Sequence, residues 1–461
     1  MGEYVLKRWT PEDEAFWKST GHRIARRNLW ISIPALMFSF SIWMLWSIVA
    51  VNLNKAGFDF SANELFWLTS LPALSGATLR IFYSFMVPIF GGRRWTAIST
   101  ALLLIPALGM GFALQDPTTS YTTLMILALL CGFGGGNFSS SMANISFFFP
   151  KSHKGMATGL NAGIGNLGVS LAQFIVPFVI SVGMFGALAG PPQMVVDANA
   201  PQAVWLQNAG FIWVPFIALS AIAAWFGMND IADAKASFRE QAVVFKRKHN
   251  WLMCWLYVGT FGSFIGFSAG FAMLAKLLFP EYNPVAYAFL GPLVGSLTRS
   301  AGGWVSDKVG GAKVTLYTFG LMTLCVIALL FVIPAEGQSG NFYVFLSLFI
   351  LLFALSGVGN GSTFRMIPII FMTERLREAE GKGEEAHKRA LIDAGKESAA
   401  VLGFTGAIGA YGGFFIPRSF GTSISMTGGV SAALWCFVGF YLSCVLLTWW
   451  FYARRNAAMP C

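Results

Sequence analysis

Twelve stretches of this chain stay apolar for about 20 residues each, the length an α-helix needs to cross the hydrocarbon of a bilayer. They cover residues 29–51, 66–90, 95–114, 121–149, 155–188, 211–228, 251–274, 285–307, 314–333, 341–371, 398–421 and 431–452. Irregular chain and open sheet edges are too costly in lipid, because their backbone N–H and C=O groups would go unbonded. The pattern therefore predicts an all-α membrane protein with twelve transmembrane helices. Composition excludes the alternatives. Only 11% of the 461 residues are charged and 56% are hydrophobic, against roughly 25% charged in a soluble chain. A water-soluble fold could not cover itself with so little charge, and disorder or a coiled coil fails by the same arithmetic.

An even number of spans puts both ends of the chain on one side, and the basic residues say which. Of the 31 Lys and Arg, 25 fall in segments on the side of the N-terminus. Three (Lys55, Lys276, Arg418) fall on the other side, and three (Arg80, Arg299, Arg365) lie inside spans. Loops rich in Lys and Arg stay in the cytoplasm, so both termini are expected there. The net charge of +10 then meets anionic lipid headgroups. Nucleic acid is not an expected partner, since no basic stretch is interleaved with exposed aromatics. The six cysteines form no C-x-x-C pair and none has a His at metal spacing, so they are read as small packing residues, and no metal or cofactor is expected. The first 28 residues are too polar for a cleaved signal peptide. Thr10-Pro11-Glu12-Asp13 reads as a helix start with Thr10 as cap, which places a short surface helix before the first span.

The chain also repeats itself. Gly76, Arg80, Gly91, Gly92 and Thr96 recur as Gly295, Arg299, Gly310, Gly311 and Thr315, every pair 219 residues apart. The midpoint falls in a polar, basic stretch at 229–250. The expected organisation is a cytoplasmic segment (1–28), a six-helix bundle (29–228), a cytoplasmic linker (229–250), a second, pseudo-symmetric six-helix bundle (251–452) and a cytoplasmic tail (453–461). Glycines four apart line three spans: Gly155, Gly159 and Gly163; Gly262, Gly266 and Gly270; Gly409 and Gly413. Small residues at this spacing let helices approach closely, either as static packing or as smooth faces for movement between two packings. Gly163-x-Gly165-x-x-Gly168 matches a dinucleotide-binding pattern, but it lies within an apolar span with no strand before it, so that reading is rejected.

The informative charges are those at depth. Arg80 and Arg299 sit at equivalent places in spans two and eight. A guanidinium does not deprotonate in a protein, and placing Arg at mid-helix costs roughly 2.5–3.5 kcal/mol on insertion scales. A buried carboxylate is the usual offset, yet all 21 Asp and Glu fall in loops or at span ends, with Asp307, Glu374 and Glu397 nearest the spans, and all four His lie in cytoplasmic segments. Two fixed cations without anions point to an anionic substrate. A monoanion about 4 Å from one guanidinium gains roughly 4 kcal/mol at an effective dielectric near 20, and the planar fork suits a planar oxyanion. Arg365, nearer a span end, is read as reaching for the interface or for loose carbonyls. Asn166, Phe138, Tyr257 and Phe261 are candidate neighbours, the last two sharing one helix face at i, i+4. The segment 372–397 mixes both signs and reads as a solvated helical face.

Gly302-Gly303-Trp304-Val305-Ser306-Asp307-Lys308-x-Gly310 resembles the cytoplasmic loop signature of the major facilitator superfamily. Arg80-Ile81-Phe82-Tyr83-Ser84-Phe85 is similar to the nitrate/nitrite porter family within it, as are Asn161-Ala162-Gly163-Ile164-Gly165-Asn166-Leu167-Gly168 and Gly406-Ala407-Ile408-Gly409-Ala410-Tyr411-Gly412-Gly413. The resemblance runs from about residue 9 to 452. It implies the major facilitator fold, an inner-membrane location and a rocker-switch carrier of nitrate and nitrite. A single chain is expected to suffice, with no cofactor. It also implies that Arg80 and Arg299 clamp the substrate and that Phe138, Asn166, Tyr257 and Phe261 line its site. Gly159, Gly163, Gly165, Gly168, Gly406, Gly409, Gly412 and Gly413 would then serve conformational change, and Asp307 and Lys308 a cytoplasmic gate loop. One departure is visible: the first-half position matching Asp307 is Pro88, so the lock in that half must differ or be weaker. Without a carboxylate or His in the pathway, nitrate/nitrite antiport is the expected reaction, with proton-coupled nitrate symport and an anion channel as the alternatives. An enzyme is not expected, for want of a nucleophile–base pair or redox ligand set.

Overall fold

The computed structural model describes residues 4–197, 200–232, 242–334, 339–457 and 459–461, so residues 233–241 of the expected linker lie outside the described residues. Among the described residues, eleven helices are long and apolar enough to cross a membrane: α1 (Glu14–Ala56), α2 (Ala62–Tyr83), α3 (Gly92–Ala113), α4 (Tyr121–Phe148), α5 (Lys151–Val179), α6 (Asn208–Gly227), α7 (Lys248–Leu278), α9 (Gly311–Leu330), α10 (Phe342–Ala379), α11 (Glu384–Thr427) and α12 (Ser431–Ala453). The expected eighth span is also helical, α8 (Leu290–Val309). It falls outside that group because Arg299, Asp307, Lys308 and several Ser, Thr and Gly make it the most polar of the twelve.

The ends of these helices follow local chemistry. Ser61 and Glu64 form a reciprocal capping box at the start of α2, and Ser120 and Asn341 accept the third backbone N–H of α4 and α10, which offsets donors that the helix cannot bond itself. At the N-terminus Asp13, not Thr10, is the cap: its carboxylate accepts from the N–H groups of Ala15 and Phe16. Thr10 instead gives its carbonyl to the Asp13 N–H across a turn. Nor is there a separate surface helix, since α1 runs on through a π-type turn at Trp17–Gly21 into the first span.

Two compact units divide the chain, one of Met1–Ala236, Ser268–Leu277 and Asn283–Phe289, the other of Ser237–Phe267, Leu278–Tyr282 and Leu290–Cys461. Within the first, α2 packs along α4; within the second, α8 packs along α10. These are corresponding helices of the two sequence repeats. The corners entering α3 and α9 also match: Gly91 (φ 86°) and Gly310 (φ 100°) both adopt positive φ, a conformation glycine takes without steric cost. Short strands complete the first unit. β1 (Val5–Leu6) pairs in parallel with β4 (Asp230–Ile231), and β2 (Gln193–Asp197) pairs antiparallel with β3 (Ala200–Val204).

Candidate functional site

In the first unit Arg80 is fully buried. Its Nε donates to the carbonyl of Gly135 at 2.9 Å, and its guanidinium carbon lies 4.6 Å from the centre of the Phe138 ring and 4.9 Å from that of Trp43. Two π-faces and a carbonyl thus surround a cation within a helical bundle, a setting in which desolvated cation–π contacts are worth about 2 kcal/mol. Arg80 and Phe138 are therefore brought together. Asn166, on α5, is buried, and its amide oxygen has no hydrogen-bond partner among the described residues. Of the α5 glycines, Gly165 and Gly168 make close approaches, to Leu36 and to the Met37 carbonyl of α1, whereas a Cβ at Gly155, Gly159 or Gly163 would meet nothing within 4 Å. The stripe at spacing four is thus not the face of α5 that packs.

In the second unit Arg299 lies 5.4 Å from the Phe364 ring, and its Nη1 is buried with no hydrogen-bond partner among the described residues. Tyr257 and Phe261 stack at 5.5 Å and 26°, and a π-helical turn at Val258–Gly262 begins just after Tyr257 and includes Phe261. Such turns widen the backbone ladder and are frequent at functional sites. A Cβ at Gly409 would come within 2.6 Å of the Tyr257 ring, and Gly412 abuts the backbone of Gly262, where α11 breaks at Tyr411 between its two segments. Gly413 is buried beside it, while a Cβ at Gly406 would meet nothing within 4 Å.

Residues 31–382 match the Major Facilitator Superfamily. Over 98% of this chain and 97% of the relative, the sequence is 53% identical to the nitrate/nitrite transporter NarU of Escherichia coli (strain K12). It is 42% identical to the probable nitrate/nitrite antiporter NarK2 of Thermus thermophilus over the same shares. With the nitrite extrusion protein of Bacillus subtilis (strain 168) it shares 24% identity, over 94% of this chain and 96% of that one. The chain belongs to the nitrate/nitrite porter family of the major facilitator superfamily.

Three ionic arrangements lie toward the basic ends of this porter's helices. Asp307 and Lys308 occupy the last turn of α8, not a loop. Asp307 forms an ion pair with Arg365, and Lys308 lies 3.8 Å from the Trp304 ring centre. Arg365 thus answers a carboxylate, not the interface or loose carbonyls. The segment 372–397 is helical on both sides of a turn. Its exposed pairs Glu384–Lys388 and Glu385–Arg389 fit a solvated face, but Arg375, Glu378 and the buried Glu397 join Arg247 in a partly buried cluster. Hydrogen bonding to Glu378 is the main cause holding the Arg247 guanidinium above its ordinary pKa. This cluster ties the start of α7 to α10 and α11, so the expectation of a merely solvated segment is corrected.

The first half holds its corner by other means. The buried Asp230 carboxylate, on β4 after α6, accepts the backbone N–H of Arg93 at 2.8 Å and its Nε at 3.3 Å, with Arg94 Nε at 3.7 Å. Arg93 also bonds the Trp225 carbonyl and lies over the Tyr4 ring. The acid missing at Pro88 is therefore supplied by Asp230, 137 residues beyond the Arg93 it holds. At the matching corner of the second half, the Ala312 N–H meets the carbonyl of Cys461 at 3.0 Å. Sequence reasoning overlooked Asp230, Trp43 and Phe364. The available signals were an acid just past the sixth span and the glycines Gly76, Gly134 and Gly135, which leave room for a large ring.

Proposed function

We propose that this protein exchanges nitrate for nitrite across the bacterial inner membrane, with Arg80 and Arg299 as the cations that hold the anion. The observation that carries this reading is the buried Arg299 Nη1, a charged donor within a membrane helix that no described residue bonds. A buried donor left so costs free energy, and the oxygen of a planar oxyanion offsets it. The relatives named for nitrate and nitrite support the choice of substrate. Phe138, Asn166, Tyr257 and Phe261 line the path beside the two arginines. Both termini are cytoplasmic, as the distribution of Lys and Arg requires, and one chain suffices for transport.

The cycle follows from charge. Moving one monoanion into an inside-negative cell costs about 2.3 kcal/mol per 100 mV, whereas exchanging one monoanion for another moves no net charge. Reorientation of the empty carrier is slow, because it would enclose two fixed cations with no anion to offset them, and a bound anion permits the switch. Glycines at close helix approaches, such as Gly168, Gly409 and Gly412, allow α5 and α11 to repack, and the Asp307–Arg365 pair and the Asp230–Arg93 corner brace the cytoplasmic ends. Purified protein in vesicles loaded with nitrite should take up labelled nitrate at least tenfold faster than in vesicles loaded with buffer. Equal rates driven by an imposed pH gradient would instead indicate proton symport, and steady current under voltage without stimulation by internal nitrite would indicate a channel.

A further inference from the structure

Arg80 and Arg299 match in sequence but differ in their surroundings, and the difference rests on Trp43. This residue is fully buried in α1, and its Nε1 donates to the Pro72 carbonyl of α2 at 2.7 Å. Its indole occupies a notch cut by glycines from two other helices. A Cβ at Gly76 would lie 2.5 Å from Trp43 Nε1, and one at Gly135 would lie 2.6 Å from Trp43 Cε2. Phe40 closes the other edge, 5.5 Å from Trp43 and 6.0 Å from Phe138. The ring is therefore fixed by a hydrogen bond, by two backbones and by an aromatic neighbour. It presents its face to the Arg80 guanidinium, while the carbonyl of Gly135, which forms part of the same notch, takes the Arg80 Nε.

The second half lacks this construction. At Gly295, the counterpart of Gly76, the notch is filled by Phe264, whose ring carbons lie 2.8 Å from a Cβ placed there. Phenylalanine brings no N–H to tie to the neighbouring helix. Arg299 faces the Phe364 ring at 5.4 Å, farther than either of the two rings that lie against Arg80. From this contrast we infer that Trp43 is a positioning residue that presets the Arg80 guanidinium, so that the porter's two arginines act unequally, Arg80 as the fixed arm and Arg299 as the arm that adjusts to the anion. A preset donor loses little freedom on binding, and a misplaced one weakens binding without changing the charge.

This inference rests on the reading of Arg80 as a substrate ligand, and the test separates the two. Nitrate/nitrite exchange is measured in proteoliposomes over a range of nitrate concentrations. Trp43→Phe keeps an aromatic ring but loses the bond to Pro72, and it should raise the half-saturating nitrate concentration about tenfold. Its maximal rate should stay within about twofold, because the charge that permits reorientation is unchanged. Trp213→Phe, at a second buried tryptophan of the same unit, should move neither quantity. Should Trp43→Phe fail to fold, a ring-fluorinated tryptophan at position 43 decides alone. It keeps shape and N–H while draining the π-face, and should raise half-saturation about threefold. Unchanged half-saturation in the folded variants, or an equal rise in Trp213→Phe, overturns the role of Trp43. If Arg80→Lys itself leaves half-saturation unchanged, Arg80 is not a ligand and the wider reading fails, whereas a rise in Arg80→Lys alone removes only the inference about Trp43.

Discussion

A buried charge with specific partners is the costliest side chain to neutralise, and Asp230 is such a residue. Its carboxylate meets Arg93 through both backbone and side chain, and Arg93 is itself buried. Asp230→Asn leaves that guanidinium facing a neutral amide, and removing one partner of a buried pair costs roughly 3–5 kcal/mol. The expected outcome is a fall in thermal midpoint of the detergent-purified protein, larger than that of a substitution at the exposed Glu384–Lys388 pair, for which the loss is about 0.3–0.5 kcal/mol. Differential scanning fluorimetry on the two variants checks the order. Glu397→Gln belongs with Asp230→Asn: Arg375 and Arg247 would keep Glu378 but lose the buried carboxylate they share, and a loss of about 3 kcal/mol is expected in the same assay.

At the level of helices, glycines on α5 divide into two kinds that spacing alone does not separate. A Cβ at Gly168 would run into the backbone carbonyl of Met37, while one at Gly159 would meet nothing. Gly168→Ala should therefore destabilise the protein by about 1–3 kcal/mol through overpacking. Gly159→Ala should leave stability unchanged or raise it, because alanine is the better helix former by about 1 kcal/mol. Paired thermal melts decide it. This contrast also shows what the chain made legible. Twelve apolar runs, the offset of 219 and the paired Arg80 and Arg299 need only the order of residues along the chain, and these were readable. What was not readable depends on distant partners. The face α5 turns to α1 is set by where Met37 and Leu36 lie, the acid for the α2–α3 corner comes from Asp230, and the π-turn at Val258–Gly262 inserts a residue into a span whose composition looks regular. Asp13 displaced Thr10 as cap because its carboxylate reaches two N–H groups of the helix that follows.

In the whole molecule, the proposed carrier matches its substrate charge with two guanidinia, since every Asp, Glu and His falls in a loop or at a span end. Exchange is then favoured over net uptake, and lysine cannot replace arginine, because it keeps the charge but loses the planar fork. The most direct measurement is equilibrium binding of labelled nitrate to the purified porter and to its Arg80→Lys and Arg299→Lys variants. Losing a hydrogen bond to a charged group costs about 1.5–3 kcal/mol, or roughly tenfold to 150-fold in affinity. Each variant should bind nitrate at least tenfold more weakly while keeping the thermal midpoint of a folded protein. Undiminished binding in either variant would contradict the claim that these two arginines hold the anion.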